Sequence, residues 1–335
     1  MNIIHIVTRM EHHSPHSGYD RLSDYIFCKR SQPSFMFKLM GVVPDIFWGF
    51  FLRKSNLYLV PQLKREIDLQ IRSIFLQKSI FHFLYGENDF RRFNPFGKHK
   101  LFVTYHFPPE KFHAYFLRPP KLNMVNALIV LGTNQADYFS KWISKEKIVF
   151  IPHGIDTKFF IPSQKKKKEG EILFVGTHLR DFESLKEVIK KINRLSPKVS
   201  FTIITFKKNW NLFSNLKNVK LFDEVDEDFL LKQYQGHQLL FLPLVNTTAN
   251  NTLLEAAACG LPIITTDVGA IRDYLDDKSA VLVPSGKIDL MVSTILDILN
   301  DENKKKELSI ETRKKALLFD WKIIADKIKK IYEIY

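Results

Sequence analysis

The sequence predicts an α/β protein built from two parallel-sheet domains. Three observations predict it. Short apolar runs alternate with helical patterns along the chain, the signature of strands joined by covering helices. The alternation restarts after a polar, lysine-rich stretch at Pro162–Gly170, which reads as a solvated linker. The length of 335 residues suits two domains, and 45% hydrophobic residues supply two cores.

The elements of the first half follow in order. Asn2–Thr8 reads as a buried strand, and Ser17-Gly18-Tyr19 as a tight turn into a helix over Asp20–Lys29. A glycine directly after a first strand lets backbone approach a ligand closely. The intervening loop holds His12, His13 and His16. Pro15 and Gly18 break any helix that would align an i, i+4 pair, so a plain loop is expected rather than a metal site. Leu63, Ile67, Ile71 and Ile74 recur at helical spacing and predict an amphipathic helix over Pro61–Gln77. Ser79–Tyr85, Leu101–Tyr105, Ala127–Leu131 and Lys147–Ile151 read as buried strands, with a helix from Asn134 to Ile143. In parallel sheets ligands bind beyond the C-terminal strand ends. This places Gly18, Glu87, His106 and Asn134 at one rim.

The second half repeats the pattern. Strands are expected at Glu171–Val175, Val199–Phe206, Val219–Phe222, His237–Leu244, Leu261–Thr266 and Ala280–Val283. Helices follow Asp181, run over Phe229–Gln235, and fill Ile288–Asn300, Asp301–Leu317 and Trp321–Tyr335. Asp226-Glu227-Asp228 stands in a helix's first turn, where acids cap and complement the dipole, and capping is favoured over metal binding. The most informative stretch is His237–Leu275. There a polar loop, Val245–Asn250, feeds a short helix, Asn251–Cys259, that stops at Gly260. The N–H groups at that helix start favour an anion, and Glu255 lies about one turn inside.

Lys and Arg total 50 against 36 Asp and Glu, a net charge of +14. That charge suits acidic partners: a phosphorylated ligand, an anionic membrane surface or nucleic acid. A genome that favours lysine would give the same bias. No helix-turn-helix or basic–aromatic motif supports nucleic acid. Two cysteines, Cys28 and Cys259, provide no disulfide framework, so a reducing compartment is expected. The N-terminal MNIIHIV reads as a strand, not a leader. Phe35–Leu52 is the most apolar segment, but Lys38, Pro44 and Asp45 argue against a spanning helix. It fits a buried helix pair slightly better than an interfacial anchor.

The stretch NNTLLEAAACGLPIITTDVGAIRDYL resembles the donor-binding segment of retaining glycosyltransferases of the GT-B fold, family 4-like, the "glycosyl transferases group 1". IPHGIDTKFF (Ile151–Phe160), FVGTHLRDFESL (Phe174–Leu185) and HSGYDRL (His16–Leu22) are similar to other segments of that family, in the same order. The resemblance covers essentially the whole chain, most specifically its C-terminal half. It implies two Rossmann-like domains facing a cleft: residues 1–160 on the acceptor side, 161–317 binding the nucleotide sugar, and 318–335 a last helix packing back on the first domain. It implies transfer of a sugar from a nucleotide-diphosphate sugar to a hydroxyl acceptor, with retention, no cofactor and no metal. Glu255 matches the acid that hydrogen-bonds the ribose hydroxyls. Thr248–Leu253 matches the loop that meets the diphosphate or the sugar, with Asn250, Asn251, Thr252 and Leu253 as contacts. His106 matches the histidine that faces the donor sugar and is the catalytic candidate. Gly18 and Gly176 match the two glycine turns.

Two departures stand out. The family's first acid, eight residues before Glu255, is Thr247 here. The usual diphosphate cations are replaced by Thr177 and Phe182, so Arg180 or the Lys207-Lys208 pair must serve. The expected partners are a nucleotide sugar and a lipid-linked or polysaccharide acceptor. The expected location is the cytoplasm, with an anionic inner membrane face as a peripheral docking surface. A non-catalytic nucleotide-binding relative is the alternative that Thr247 and the missing cations motivate.

Overall fold

Runs of Ile, Val, Leu and Phe form the strands, because both faces of each parallel sheet are covered. The computed structural model describes residues 1–7, 15–32, 60–115, 121–165 and 167–335. It divides into two units. The first takes the N-terminal strand, Tyr19–His153 and Lys322–Tyr335; the second takes Gly154–Trp321 and the short stretch ending at Gly18.

In the first unit, six strands lie parallel in the order β2-β1-β3-β4-β5-β6. They are β1 (Asn2–Ile6), β2 (Lys29–Arg30), β3 (Ser79–Phe83), β4 (Lys100–Tyr105), β5 (Ala127–Val130) and β6 (Ile148–Phe150). β3 is buried along its whole length. Phe81, Phe83, Phe93, Val103, Tyr105 and Phe112 anchor the core around it. Within this sheet runs a buried polar chain. His5 and His82 stand opposite each other on β1 and β3. Tyr332, from the helix Trp321–Ile334, puts its hydroxyl 3.1 Å from His5 Nε2 and 2.6 Å from His82 Nδ1. His82 Nε2 reaches Thr104 Oγ1 at 2.8 Å, and His5 Nδ1 reaches Ser23 Oγ at 2.9 Å. Burial drives the pKa of both imidazoles down, that of His5 to about 3. Both rings are therefore neutral at pH 7, each one donor and one acceptor.

In the second unit, six parallel strands run in the order β12-β11-β10-β7-β8-β9. They are β7 (Glu171–Val175), β8 (Ser200–Ile204), β9 (Val219–Phe222), β10 (Leu239–Leu242), β11 (Ile263–Thr266) and β12 (Val281–Val283). The helix Phe182–Leu195 follows β7 and is capped by Asp181, whose carboxylate accepts from Ser184 N at 3.0 Å. Its Leu185, Val188, Ile189 and Ile192 face the core. The sequence order reverses between β7 and β10, which makes their C-terminal ends the place where an open α/β sheet forms a crevice.

The structure differs from the sequence reading at three places. The helix expected over Asp20–Lys29 is only a 3₁₀ turn, Tyr19–Arg21, and one turn of α-helix, Leu22–Tyr25. The chain then extends so that Lys29 and Arg30 pair with Ile4 and His5 as an edge strand. Backbone pairing to β1 outweighs helix propensity there. The helix after Asn134 ends at Phe139, not Ile143. Gln135 explains the tight local geometry: its amide donates to the carbonyls of Tyr105 and Phe107 and accepts from Leu131 N and Gly132 N. The third difference is a set of short helices absent from the sequence reading, among them Gly86–Asp89 and Pro109–Tyr115. The Phe35–Leu52 segment and His12 and His13 lie outside the described residues. Among the described residues, no helix is long and apolar enough to cross a membrane.

Candidate donor site

The site is built at the switch point of the second unit, from the loops after β7 and β10. β7 ends at Val175, and Gly176 turns the chain with φ +101°, a left-handed conformation that glycine adopts without cost. A Cβ at Gly176 would stand 2.5 Å from Arg180 Nη2, so only glycine lets the arginine fold back over the turn. Arg180 is then fixed by three bonds. Its Nε donates to Val175 O at 2.9 Å, Nη1 to His178 O at 3.0 Å and Nη2 to Thr252 Oγ1 at 3.0 Å. Burial lowers its pKa to about 10, and it stays charged at pH 7.

The loop after β10 enters the helix Asn251–Ala258. Asn250 caps that helix, accepting from Leu253 N at 3.3 Å with its own backbone extended, as N-cap residues are. The first-turn N–H groups of Asn251 and Thr252 lie beyond the reach of intrahelical acceptors. Leu253 is buried and pins the helix to the core. Thr247 is buried as well. Its hydroxyl donates to Thr248 O at 3.2 Å, and its carbonyl accepts from Ala270 N at 2.9 Å. Gly269, with φ +59°, packs so closely that a Cβ would lie 2.2 Å from Thr247 O. Thr247 therefore serves as a strut between the loop and the turn after β11.

Glu255 lies one turn into the helix and is only 5% exposed. Its Oε2 accepts from Tyr234 OH at 2.8 Å. Tyr234 belongs to the helix Glu227–Gly236, whose N-cap Asp226 accepts from Phe229 N at 2.6 Å, the capping role expected of that acidic run. Burial raises the pKa of Glu255 to about 7, against the pull of the Tyr234 hydrogen bond and the positive Arg180. Arg180 and Glu255 are thus opposite charges around one helix start. Arg180 is held by the carbonyls of Val175 and His178 and the Thr252 hydroxyl, and Glu255 by the Tyr234 hydroxyl, rather than each by the other.

Of the remaining sequence candidates, Lys207 is exposed at the start of a 3₁₀ helix after β8. The Thr177–Thr205 hydroxyl bond, 2.9 Å, holds that strand end beside the Gly176 turn. The structure therefore ties Gly176, Arg180 and Thr252 into one hydrogen-bonded group beside Glu255 and leaves Lys207 on the surface. Gly18 adopts φ +94° and groups with the second unit. Its neighbour His16 is anchored there, Nδ1 2.8 Å from Asp156 Oδ2 and ring stacked on Phe159 at 3.8 Å.

His106 belongs to the first unit, directly after β4. Its backbone N donates to Glu87 Oε2 at 3.2 Å, and its Nδ1 lies 2.9 Å from Glu87 Oε1. Tyr85 stacks on the ring at 4.6 Å and Tyr19 meets it edge-on at 5.0 Å. The imidazole is thus fixed by a buried carboxylate and two aromatic walls. Tyr234 was missed in the sequence because a helix tyrosine carries no mark of a partner 21 residues away. Glu87 stands at the rim, and its hold on His106 leaves no mark in the sequence. Among the described residues, no group of three or more His, Cys, Asp or Glu could hold a metal ion.

Residues 169–301 match the family model described as Glycosyl transferases group 1. Those residues, most of the second unit, are similar to the group 1 glycosyl transferases. A curated relative in Arabidopsis thaliana, which is one of the subunits of phosphatidylinositol N-acetylglucosaminyltransferase, is 24% identical over 204 residues. The match covers 57% of this chain and 45% of that relative, so the chain spans about half the length of such relatives. Two solved structures match over nearly the full length. A glycosyltransferase from Rickettsia africae has a TM-score of 0.68 at 14% identity, covering 99% of this chain and 97% of that one. Anabaena HepE, solved in complex with UDP and glucose, has a TM-score of 0.65 at 11% identity and covers 100% of both chains. With two Rossmann-like parallel sheets, the chain has the GT-B fold.

Proposed function

We propose that this protein moves a sugar from a nucleotide-diphosphate sugar to a hydroxyl acceptor, with retention, in the synthesis of a glycolipid or envelope polysaccharide. The observation that carries this is the separation of Arg180 from Glu255. A direct ion pair would satisfy both charges without a ligand. Here Arg180 is held by two backbone carbonyls and the Thr252 hydroxyl, and Glu255 by the Tyr234 hydroxyl, so the remaining guanidinium N–H groups stay available to a diphosphate and the carboxylate to ribose hydroxyls.

The proposed roles follow from position. Glu255 accepts from the two ribose hydroxyls. The N–H groups of Asn251 and Thr252 and the Arg180 guanidinium take the diphosphate, which carries growing charge as the sugar leaves. Arg180 rather than Lys207 fills the missing cation position, because it is already oriented and partly desolvated. Gly176 leaves room for it. His106, held by Glu87, meets the donor sugar. No side chain is assigned as base: a leaving phosphate oxygen takes the acceptor's proton, and no metal is required. The name of the Arabidopsis relative motivates a lipid-linked acceptor, and HepE's ligands make UDP-glucose the first donor to try.

Thr247 favours one second reading, a nucleotide-binding relative without turnover. Its buried hydroxyl is committed to a backbone carbonyl and is no substitute for an acid that would grip the donor sugar. Calorimetry with UDP and UDP-glucose, run beside assays of donor hydrolysis and transfer, decides between the two. Binding with turnover, both lost in Glu255→Ala, is the expected result. Binding without turnover establishes the second reading, and nucleotide affinity and activity unchanged in Glu255→Ala refute the site.

A further inference from the structure

Two buried hydroxyls stand between the charges of the donor site, and their protons have one arrangement open to them. A guanidinium can only donate, and an ionised carboxylate can only accept. Thr252 Oγ1 takes a hydrogen bond from Arg180 Nη2 at 3.0 Å, so the Thr252 proton is left to be given elsewhere. Tyr234 gives its proton to Glu255 Oε2 at 2.8 Å, so its oxygen is left to accept. The two hydroxyls complement each other, and Thr252 is a hydrogen-bonding partner of Tyr234. The result is one directed chain, from Arg180 to Thr252 to Tyr234 to Glu255, lying wholly in the second unit. The fold holds each link. Thr252 and Glu255 are three residues apart in the helix Asn251–Ala258 and share one face. Tyr234 comes from the helix Glu227–Gly236, with its ring edge-on to Phe160 at 6.3 Å. Thr252, Tyr234 and Glu255 are all buried, so bulk water does not replace a missing link. Burial also holds the phenol well above its usual pKa, which keeps it a proton donor at neutral pH.

We propose that Thr252 and Tyr234 are positioning residues, whose two hydroxyls relay the Arg180 cation to Glu255 and so hold that carboxylate charged and aimed before a nucleotide arrives. The proposal rests on the donor-site reading of Glu255 given above. Its physical basis is that hydrogen bonds in a buried chain polarise one another, so a cation at one end strengthens the bond that reaches the carboxylate at the other. The groups that face Glu255 are Arg180 after β7, Glu227 and Tyr234 on the neighbouring helix, and Cys259 at the end of its own. Burial and Glu227 push its pKa up, to about 7, while the Tyr234 bond and Arg180 pull it down. Breaking the chain leaves burial less opposed, and Glu255 then ionises only at higher pH. A neutral carboxyl receives the two ribose hydroxyls less well than a carboxylate does.

The test is binding of uridine, which carries the ribose without phosphates, and of inorganic pyrophosphate, which carries the anion without the ribose. Both are titrated onto the full chain from about pH 6 to about pH 9, for the wild type, Tyr234→Phe and Thr252→Val. Each variant keeps the packing volume, and Thr252→Val keeps the backbone N–H at the helix start. Wild-type affinity for uridine is expected to rise with pH through about 7. In both variants that rise moves to higher pH, so uridine binds roughly 3- to 10-fold more weakly near pH 7.5 and recovers near pH 9. Pyrophosphate affinity in Tyr234→Phe is expected to stay within about twofold of the wild type at each pH. Uridine binding weakened equally at every pH makes the hydroxyls packing groups only and overturns the proposal. So does a Thr252→Val profile that superimposes on the wild type, which leaves Tyr234 acting alone. A wild type that binds no uridine at any pH sinks the donor-site reading instead. The relay is then read from NMR titration of the Glu255 carboxyl carbon: a midpoint raised in both variants upholds it, and an unmoved midpoint overturns it. Should Tyr234→Phe fail to fold, Thr252→Val carries the same test.

Discussion

Glu255→Gln is the substitution that tests the donor site most sharply, because stability and binding are expected to move in opposite directions. Burial lifts the pKa of Glu255 from 4.5 to about 7, so ionising it in the folded chain costs about 3 kcal/mol relative to the unfolded one. The sign is that of a raised carboxyl: the favourable state is fully present below pH 4.5 and is lost as pH rises through 7. Glutamine keeps the shape and still accepts from Tyr234 OH, but carries no charge. At pH 8.5 the variant avoids the ionisation cost and loses about 1 kcal/mol from a weaker hydrogen bond. The net gain is about 2 kcal/mol, or roughly 4–8 °C in the melting temperature of a unit this size. At pH 5 the wild-type side chain is a neutral acid, and the two proteins should melt within about 1–2 °C of each other.

Nucleotide affinity should fall in the same variant. Two ribose hydroxyls that donate to a carboxylate lose about 2–3 kcal/mol against an amide, a 30- to 150-fold weakening to be read by calorimetry with UDP at about pH 8.5. Melting curves at the two pH values, with and without UDP, make the whole measurement. A variant less stable than wild type by the same margin at pH 8.5 and pH 5 would refute the raised pKa. UDP protection equal to that of wild type would refute the ribose contact.

Four other outcomes are expected. Arg180→Met removes the cation while keeping the packing volume, so affinity for UDP should fall about 10- to 100-fold and affinity for uridine far less; equal losses would make Arg180 purely structural. Glu87→Gln weakens the hold on His106, so kcat for transfer should fall while UDP affinity measured by calorimetry stays unchanged. Tyr332→Phe leaves His5 and His82 without their shared hydroxyl and should cost about 2–4 kcal/mol in denaturant unfolding. In the wild type those two depressed histidine pKa values confer stability that is present above pH 6.5 and is lost as pH falls towards 3, about 2 kcal/mol from His5 alone between pH 7 and pH 5. Acid titration followed by circular dichroism checks that loss.

The strands were legible because a parallel sheet buried on both faces demands near-continuous apolar sequence, and SIFHF, KLFVTY, ALIV, EILFV and LLFL all supply it. Lys29–Arg30 was not legible, because a two-residue edge strand with both side chains in water carries no apolar signal. Asn250 and Glu255 could be read locally, one as a polar residue ahead of an apolar helix and the other as an acid within it. Tyr234 and the Arg180–Thr252 bond could not, since they join residues 21 and 72 positions apart. Arg180 was one of two cations that spacing allowed. The Gly176 turn decides between them, because it gives the arginine space to fold back while Lys207 points into solvent.

The donor side of this fold is also where the chain departs from what stability alone would select. A helix core prefers neutral side chains, and the helix Asn251–Ala258 otherwise supplies them: Leu253, Leu254, Ala256, Ala257 and Ala258 are all buried. Glu255 sits among them at an ionisation cost of about 3 kcal/mol. Arg180, seated over the adjoining turn, also has its charged form disfavoured by burial. Had the two been brought into direct contact, each would have offset the other's desolvation, as buried pairs do when their geometry is good. Two backbone carbonyls and the Thr252 hydroxyl instead hold Arg180, and the Tyr234 hydroxyl holds Glu255, which leaves neither charge fully offset by the other. A ligand carrying an anion at one end and paired hydroxyls at the other relieves both at once, and a nucleoside diphosphate is such a ligand. The separation of the two charges, rather than the presence of either, is therefore the feature that most strongly favours a nucleotide donor for this chain.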